Sequence, residues 1–442
     1  MANTQANEEQ TTLILRQLFL LSVCVLSLPT WAMSVTIIDD AKHQRSGAWT
    51  QVLPYAYYTE NLQWGVGVGV GAAGHIQPSS SLVATATVTS NDSWMVFLYS
   101  GDYQLPFADR VFFDTTLYQT NFTRDPQYIN GNEEYSGERA GSNDSSQSNR
   151  VYTHSKGQEY RFRFRYLLPI GHGKDSPVHT FRVKRGEVME GYEAGAKEWN
   201  PLTSGRTIIQ LEPFYWKQDV GEYNQLQDSN TSAGLALELE YDNRNYHQNP
   251  TAGSRQRFNV TRDWGDSGRP SWTMWEFSAS KYISLPQTSW AQSQVLAFGM
   301  ATSDTPTWNH SSYNNGEQQY HRPAWFAGSR LGGMDRLKGY ETARYHDRSM
   351  IYYSAEYRFT PNWNPLPKVP VVNWFNVPAW YWVAFAEIGR VADEYNLATL
   401  HQDMKYSIGG SIRVMMEGIV LRGDFATSGD DSVFRLGINH PY

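Results

Sequence analysis

The chain has 442 residues and a formal net charge of −7, and 14% of its residues are aromatic. This acidic balance excludes the basic surface of a nucleic-acid-binding protein. After residue 34 no run of about 20 apolar residues occurs, which excludes a transmembrane helix there. The length is compatible with more than one soluble domain or with a single long β-barrel.

The N-terminus has the layout of a secretory signal peptide. Arg16 precedes the apolar run "LFLLSVCVLSLP", and the small residues Ala32 and Ser34 flank a plausible cleavage site. The sequence therefore predicts a signal peptide over residues 1–34, with a short membrane anchor as the alternative. Residues 35–48 are then predicted to be a short periplasmic leader.

The only cysteine, Cys24, lies inside that apolar run. If the signal peptide is removed, the mature chain has no thiol. Disulfides, thiolate catalysis and cysteine metal sites are then excluded.

From Trp49 onward the sequence alternates with a period of two, which is typical of strands. In "EYRFRFRYLLPIG" three arginines share one face and three aromatic residues share the other: Arg161, Arg163, Arg165, and Phe162, Phe164, Tyr166. This pattern fits a soluble sandwich or an outer-membrane barrel with a wet lumen. The export signal, the strand lengths of about ten residues and the aromatic clusters at strand ends favour the barrel. We therefore predict an all-β, transmembrane antiparallel β-barrel over residues 49–442.

Seventeen segments qualify as strands, whereas a closed bacterial barrel has an even number. They are 49–59, 62–73, 81–90, 93–104, 110–120, 158–168, 178–187, 206–217, 232–242, 255–264, 272–283, 292–302, 349–360, 379–390, 405–416, 418–427 and 432–441. With the N-terminus in the periplasm, the polar stretches 121–157 and 303–348 fall outside the cell. Either one candidate between 169 and 231 belongs to a loop, giving 16 strands, or "VMEGYEAGAKEWN" adds an eighteenth; we favour 16.

The run "GVGVGVG", from Gly65 to Gly71, lies in the second strand candidate. Its valines can face lipid while its glycines face inward and leave room for a loop. A flexible, strongly bent strand is the alternative.

The sequence contains no HExxH motif, no paired histidine ligands and no G-x-S-x-G nucleophile elbow. We therefore predict no catalytic residue, no metal site and no cofactor, and expect that the protein is not an enzyme.

The segment "GGMDRLKGY...RYHDRSMIYYSAEYRF" resembles the signature of the BamA/TamA superfamily of outer-membrane barrels, also called the bacterial surface antigen family. In that family a Gly-Gly turn, here Gly332 and Gly333, leads to a hydrophobic-Arg-Gly-aromatic tetrapeptide on a long loop. The tetrapeptide here is Leu337, Lys338, Gly339, Tyr340. "YDNRNYHQNPTAGSR", "FAEIGRVAD", "YSIGGSIRV" and "LRGDFA" resemble further family segments, so that the resemblance covers roughly residues 232–442.

The resemblance implies that the 303–348 loop folds into the lumen, where its cation pairs with an acidic residue of the wall. This chain has Lys338 where the family has Arg, and Glu387 where it has Asp. Lysine lacks the bidentate fork of arginine. Glutamate is one methylene longer than aspartate, which could let its carboxylate reach the compact ammonium group of lysine. We expect Lys338 to pair with Glu387, with Glu356 as a nearby second partner. The alternative is a solvated Lys338 on a surface loop.

For function, the resemblance implies insertion or translocation of protein or lipid at the bacterial outer membrane. A passive pore or a structural surface antigen is the alternative. The implied partners are membrane lipid and another outer-membrane or periplasmic protein, because residues 35–48 leave no room for the POTRA modules by which relatives recruit clients. The cargo and the oligomeric state stay open.

Overall fold

The computed structural model describes residues 33–40, 43–45, 47–59, 61–191, 198–221, 230–370, 372–416 and 419–441. Almost all of the predicted signal peptide, residues 1–32, lies outside this part. Among the described residues no helix has the length and apolar character needed to cross a membrane.

Sixteen strands form one antiparallel sheet in which chain neighbours are sheet neighbours, apart from two places where a long connection carries small strands of its own. The sheet strands are β3 Trp49–Thr59, β4 Gln63–Ala73, β5 Ser81–Thr89, β6 Trp94–Leu105, β7 Ala108–Gln127, β8 Val151–Leu167, β11 Arg206–Val220, β12 Thr231–Asp242, β13 Gly253–Asp263, β14 Trp272–Ser284, β15 Ala291–Asp304, β20 Ser349–Pro361, β21 Ala379–Ala392, β22 Lys405–Met416, β23 Ile419–Ser428 and β24 Ser432–Ile438. The favoured count of 16 is confirmed.

The candidate at 178–187 does not enter this sheet. Four other short strands form a separate sheet in the order β10-β9-β1-β2. They are β1 Ser34–Asp40, β2 His43–Arg45, β9 His179–Lys184 and β10 Glu187–Glu190. Part of the eighteen-strand alternative, residues 192–197, lies outside the described residues. The six residues of β9 are too few to span a bilayer, for which a strand needs about 9–11.

The sheet forms a transmembrane barrel with an apolar outside and a polar inside. On β8, Phe162, Phe164 and Tyr166 are 40%, 39% and 41% exposed, whereas the intervening Arg165 is 1% exposed. Near the two ends of the sheet, β4 approaches β23, since a Cβ built on Gly71 would lie 3.9 Å from Ile419 Cδ1. Even-numbered barrels with this alternation belong to the bacterial outer membrane.

The glycines of β4 do face inward and its valines outward, but the space beside the glycines is not taken by a loop. A Cβ on Gly65 or Gly67 would lie 2.4 Å from the ring of Tyr57 or Tyr55 of the adjacent strand. Two tyrosine rings therefore occupy the space that the missing side chains leave.

The remaining elements lie in connections. We call the end of the barrel at which β3 begins the periplasmic end, as the sequence predicts, and the other end the extracellular end. The connection between β15 and β20, residues 305–348, is called the lumen loop. The small elements at the extracellular end are β16 Ser311–Asn314, β17 Glu317–Tyr320, β18 Ser329–Leu331, β19 Tyr345–Asp347 and the one-turn helix α1 Leu397–Leu400.

Candidate functional site in the barrel lumen

The lumen loop returns into the barrel through a short hairpin. Strands β18 and β19 pair antiparallel and carry the turn residues 332–344 at their end. Gly332 and Gly333 have φ angles of +99° and +120°, and a Cβ on Gly332 would lie 2.2 Å from the carbonyl oxygen of Glu341. Only glycine fits this backbone without strain. The Gly-Gly pair thus sets the turn that directs the tip, residues 332–340, toward the wall.

Lys338 lies at the centre of the tip, in contact with Glu387 of β21. The ammonium group contacts one carboxylate oxygen, and the backbone N–H of Lys338 donates to the other at 2.7 Å. The Tyr352 hydroxyl also donates to Glu387, at 2.6 Å, and the ammonium lies 4.1 Å from the centre of the Phe385 ring. Both charged side chains are 0% exposed.

A buried ion pair stabilises a structure only when further hydrogen bonds and good geometry offset the cost of desolvation. Here Glu387 accepts hydrogen bonds from an amide, a phenol and an ammonium. Lysine offers no bidentate fork to the carboxylate. The backbone N–H of Lys338 supplies a second hydrogen bond to Glu387 instead, and the face of the Phe385 ring adds a favourable contact with the ammonium group.

The next two residues attach the tip to the last three strands. Gly339 N–H donates to the Ser407 hydroxyl of β22 at 2.8 Å, and its carbonyl accepts from Ser428 of β23 at 2.9 Å. Arg435 of β24 donates to the Lys338 carbonyl at 3.2 Å and also to that of Tyr340. The tip therefore has a polar contact with each strand from β21 to β24.

Leu337 provides the apolar part of the site. Its side chain is 0% exposed and packs in a buried cluster with neighbouring apolar residues of the loop and of β15, β20 and β21. The cluster consists of Ala301, Leu331, Leu337, Tyr340, Tyr345, Met350, Tyr352 and Val391. Tyr340 and Tyr345 meet edge to face at 5.2 Å between ring centres.

Glu356 does not take part in the Lys338 contact. Its carboxylate accepts from Arg413 at 2.7 and 3.0 Å and from Arg358 at 2.9 Å. The structure thus brings Lys338 and Glu387 together and assigns Glu356 to an arginine pair lower in the wall.

Two further ion pairs flank the tip and were missed by sequence reasoning. Asp335 accepts from Arg422 of β23 at 2.8 Å, and Arg336 donates to Glu276 of β14 at 3.1 Å. The two wall residues, Arg422 and Glu276, lie at inward positions of strands whose side chains alternate between the lumen and the lipid. Charged residues at inward positions opposite a charged loop were the signal that could have identified them.

A second extracellular loop, residues 128–150, covers the lumen loop. Glu341 accepts from the Tyr128 hydroxyl at 2.8 Å and from Arg150 at 3.1 Å, while Arg344 donates to the Ser145 carbonyl at 2.7 Å. Burial and the nearby Glu341 carboxylate raise the pKa of Tyr128 above its usual range. The two loops together cross the extracellular mouth.

The separate sheet of β1, β2, β9 and β10, which we call the cap, crosses the periplasmic mouth. It begins at Met33, whose carbonyl accepts from Arg206 of β11 at 3.1 Å. At its far tip, the carbonyls of Arg185 and Gly186 accept from Gln292 and Asn249, both at 3.1 Å. The cap therefore joins parts of the wall that lie well apart along the sheet.

The apolar face of the cap is buried. Ile38 of β1 and Phe181 and Val183 of β9 pack with Tyr246 of the β12–β13 turn. The predicted leader, residues 35–48, thus supplies β2 and all of β1 except Ser34, which the sequence assigned to the signal peptide. Among the described residues no group of three histidine, cysteine or acidic side chains is placed to hold a metal ion.

No protein-family model matches the sequence, and a comparison with curated proteins found no match. Solved structures do show a similar fold. BamA from Haemophilus ducreyi lacking POTRA domains 1–3 has 12% identity, covering 99% of this chain and 79% of that one, with a TM-score of 0.45. CdiB from Escherichia coli has 11% identity and a TM-score of 0.49, covering 90% of this chain and 62% of that one, so that this chain spans less than two thirds of CdiB. At these values neither likeness bears on activity.

Proposed function

We propose that this chain is an outer-membrane barrel that inserts or translocates protein or lipid, and that it acts at the boundary between its first and last strands. The supporting observation is the attachment of the lumen-loop tip to β21–β24, the strands that lead to one end of the sheet. A loop that only blocked a pore would not need a contact with each of these strands.

The sheet order begins at β3 and finishes at β24. The two terminal strands differ in length, with 11 residues in β3 and 7 in β24. A sheet edge offers hydrogen-bonding groups that another strand can pair with, and such an edge is costly inside a membrane. The boundary between β3 and β24 is therefore the part of the wall most suited to open and to receive a client strand.

The lumen loop is placed to control β24. Arg435 lies on β24 and donates to two carbonyls of the tip. Moving β24 away from the lumen, and so away from the tip, would strain these bonds and, through the tip, the Lys338–Glu387 pair. The tip would thus favour the closed wall, and its release would favour an open one.

A cross-link across the boundary tests this proposal. The chain has one native cysteine, Cys24, so that cysteines at Gly71 and Ile419 form a defined pair, which a short bis-maleimide can join. The purified protein in lipid vesicles would be given an unfolded outer-membrane barrel protein, and folding of that client would be followed by heat-modifiable gel mobility. We expect the cross-link to stop acceleration of client folding.

The matched control joins Val68→Cys to Ala86→Cys. These residues face each other in the β4–β5 pair, so that this link closes no boundary. Equal client folding by the two cross-linked proteins would contradict the proposal, as would a lack of acceleration by the protein without cross-links.

The second candidate, a passive pore, is disfavoured by the segments that cross both mouths. Planar-bilayer conductance distinguishes the two functions. A passive pore would conduct steadily in its native form, whereas we expect low conductance that rises when residues 330–345 are deleted. The implied partners are membrane lipid and a second outer-membrane or periplasmic protein, which affinity purification from outer membranes would identify.

A further inference from the structure

The periplasmic end carries a connection that is long for that side of a barrel. Short turns are usual there, yet residues 362–378 separate β20 from β21. Two 3₁₀ turns, Leu366–Lys368 and Val372–Trp374, shape this connection. Between it, the starts of β15 and β21 and the cap lies a cavity of about 350 Å³, within the size range of small-molecule sites.

The outer wall of the cavity is aromatic and belongs to the membrane interface. Trp363 and Trp380 meet edge to face at 4.8 Å between ring centres, and the Trp380 indole N–H donates to the Trp363 carbonyl at 2.9 Å. Trp363 is 58% exposed, and Trp382, two positions further on the lipid-facing side of β21, is 46% exposed. Tryptophans at this level are typical of the headgroup region.

The inner wall is polar and cationic. Arg185, at the tip of the cap, lines the cavity together with Gln292, whose side chain holds the Arg185 carbonyl. Amide side chains supply much of the remaining polar lining: Asn362, Asn364, Asn373 and Asn376. The described lining residues include one cation and no carboxylate.

The polar wall is partly fixed in advance. Asn362 donates to the Ser289 carbonyl at 2.6 Å and Asn364 to the Val377 carbonyl at 2.7 Å. Rigid polar groups lose little entropy when a ligand binds. The cavity therefore has the properties of a formed site rather than of a gap between mobile loops.

We propose that this cavity binds the phosphate headgroup of a phospholipid from the periplasmic leaflet, with Arg185 on the phosphate and the acyl chains leaving past Trp363. A guanidinium pairs well with phosphate oxygens, and basic pockets at the membrane surface are known to hold anionic headgroups. The aromatic outer wall supplies an exit at the level of the lipid. This site is independent of any insertion activity.

The position of Arg185 gives the lipid a second role. Because the cation belongs to the cap and the tryptophans belong to the barrel wall, a bound lipid connects the two. Anything that binds only the docked arrangement stabilises that arrangement by mass action. Lipid binding would therefore hold the cap across the periplasmic mouth.

Native mass spectrometry of the full chain in detergent, titrated with phosphatidylglycerol, tests the proposal. We expect one tightly bound lipid and at least a tenfold weaker affinity in Arg185→Gln. Trp363→Ala should weaken lipid binding several-fold, because it removes the aromatic contact with the acyl chains and leaves the cap unchanged. The matched control is Arg182→Gln, because Arg182 also belongs to the cap but lies on β9, is not part of the cavity lining and pairs with Asp39 and Glu190; the affinity of this variant should stay within twofold of the native value.

Wild-type affinity in both Arg185→Gln and Trp363→Ala would overturn the proposal. Displacement of the lipid by an equal concentration of glycerol 3-phosphate would also overturn it and would indicate a site for free phosphate. Displacement by a short peptide, with Arg185→Gln without effect, would assign the cavity to polypeptide instead.

Discussion

At the extracellular mouth the lumen loop is held by buried charges, whereas at the periplasmic mouth the cap is held by strand pairing and an apolar face. The tip has Lys338 against Glu387, with both side chains 0% exposed, while the cap has Phe181 and Val183 packed on Tyr246. Buried charge is sensitive to the loss of one partner, and apolar packing is sensitive to lost volume. The two closures should therefore respond to different substitutions, although both cross the same lumen.

The largest effect is expected from Lys338→Met, which leaves Glu387 buried without its cation. Removing one partner of a buried pair costs about 3–5 kcal/mol, measurable as the free energy of unfolding from urea titration in lipid vesicles. The double variant Lys338→Met, Glu387→Gln should recover most of the loss. No recovery in the double variant would show that the pair itself is not what holds the tip.

Phe181→Ala should have the next largest effect, and it should be confined to the cap. Phe181 is 4% exposed, and truncating a buried phenylalanine costs about 3–5 kcal/mol of folding free energy. Because the cap can open without unfolding of the barrel, a large part of this loss should appear as easier opening of the cap. Hydrogen exchange of residues 178–191 should rise while exchange of residues 332–340 stays unchanged. The control, Thr180→Ala, alters the exposed face of the same strand. Equal changes in both closures would contradict their independence.

Acid should loosen the cap. Burial and the nearby Arg206 lower the pKa of His179 to about 4, and burial with Arg244 lowers the pKa of His247 to about 3. Since the folded cap disfavours protonation of both rings, their stabilising contribution is complete above the usual histidine pKa of about 6.5 and is lost as the pH falls toward 4.

Protease cleavage within residues 178–191 should therefore be faster at pH 5 than at pH 7.5. The variant His179→Gln, His247→Gln should show a smaller difference between the two pH values. The same pH dependence in this variant would exclude the histidines as its source.

The smallest effect concerns the barrel wall between the two closures. Gly67→Ala places a methyl group 2.4 Å from the Tyr55 ring, whereas the nearest atom to a Cβ on Gly69 is 3.7 Å away. Overpacking of this kind costs about 1–3 kcal/mol, and a movable ring should keep the cost near the lower limit. Gly69→Ala is the control, and equal unfolding free energies of the two variants would contradict the tyrosine packing.

The barrel wall could be predicted from the sequence because each strand carries its own alternation. The "EYRFRFRYL" pattern places arginines inside and aromatics outside, as the structure has them. The count of 16 was favoured over 18 because a closed bacterial barrel has an even number of strands and one of the seventeen candidates could belong to a loop. The contact of Lys338 with Glu387 was expected from a resemblance, since nothing in the local pattern relates residues 49 positions apart.

The cap could not be predicted, for a physical reason. His179–Lys184 alternates like a barrel strand, and only its length and its partner set it apart. That partner is β1, which pairs in parallel with β9 although it lies more than 130 residues earlier in the chain. The sequence predicted most of β1 to be part of a short leader rather than a strand. The contacts of the 128–150 loop could not be predicted either. Its polar residues bind residues of the lumen loop, which is distant in the chain, and sequence periodicity gives no information on such contacts.

Accessibility of single cysteines on intact cells tests most directly whether the tip lies inside the barrel. Leu337 is 0% exposed, and Tyr313, on the β16–β17 hairpin of the same loop, is 75% exposed. A membrane-impermeant maleimide should label Tyr313→Cys rapidly and leave Leu337→Cys unlabelled. Labelling of both cysteines at similar rates would contradict the lumen site and the function proposed from it.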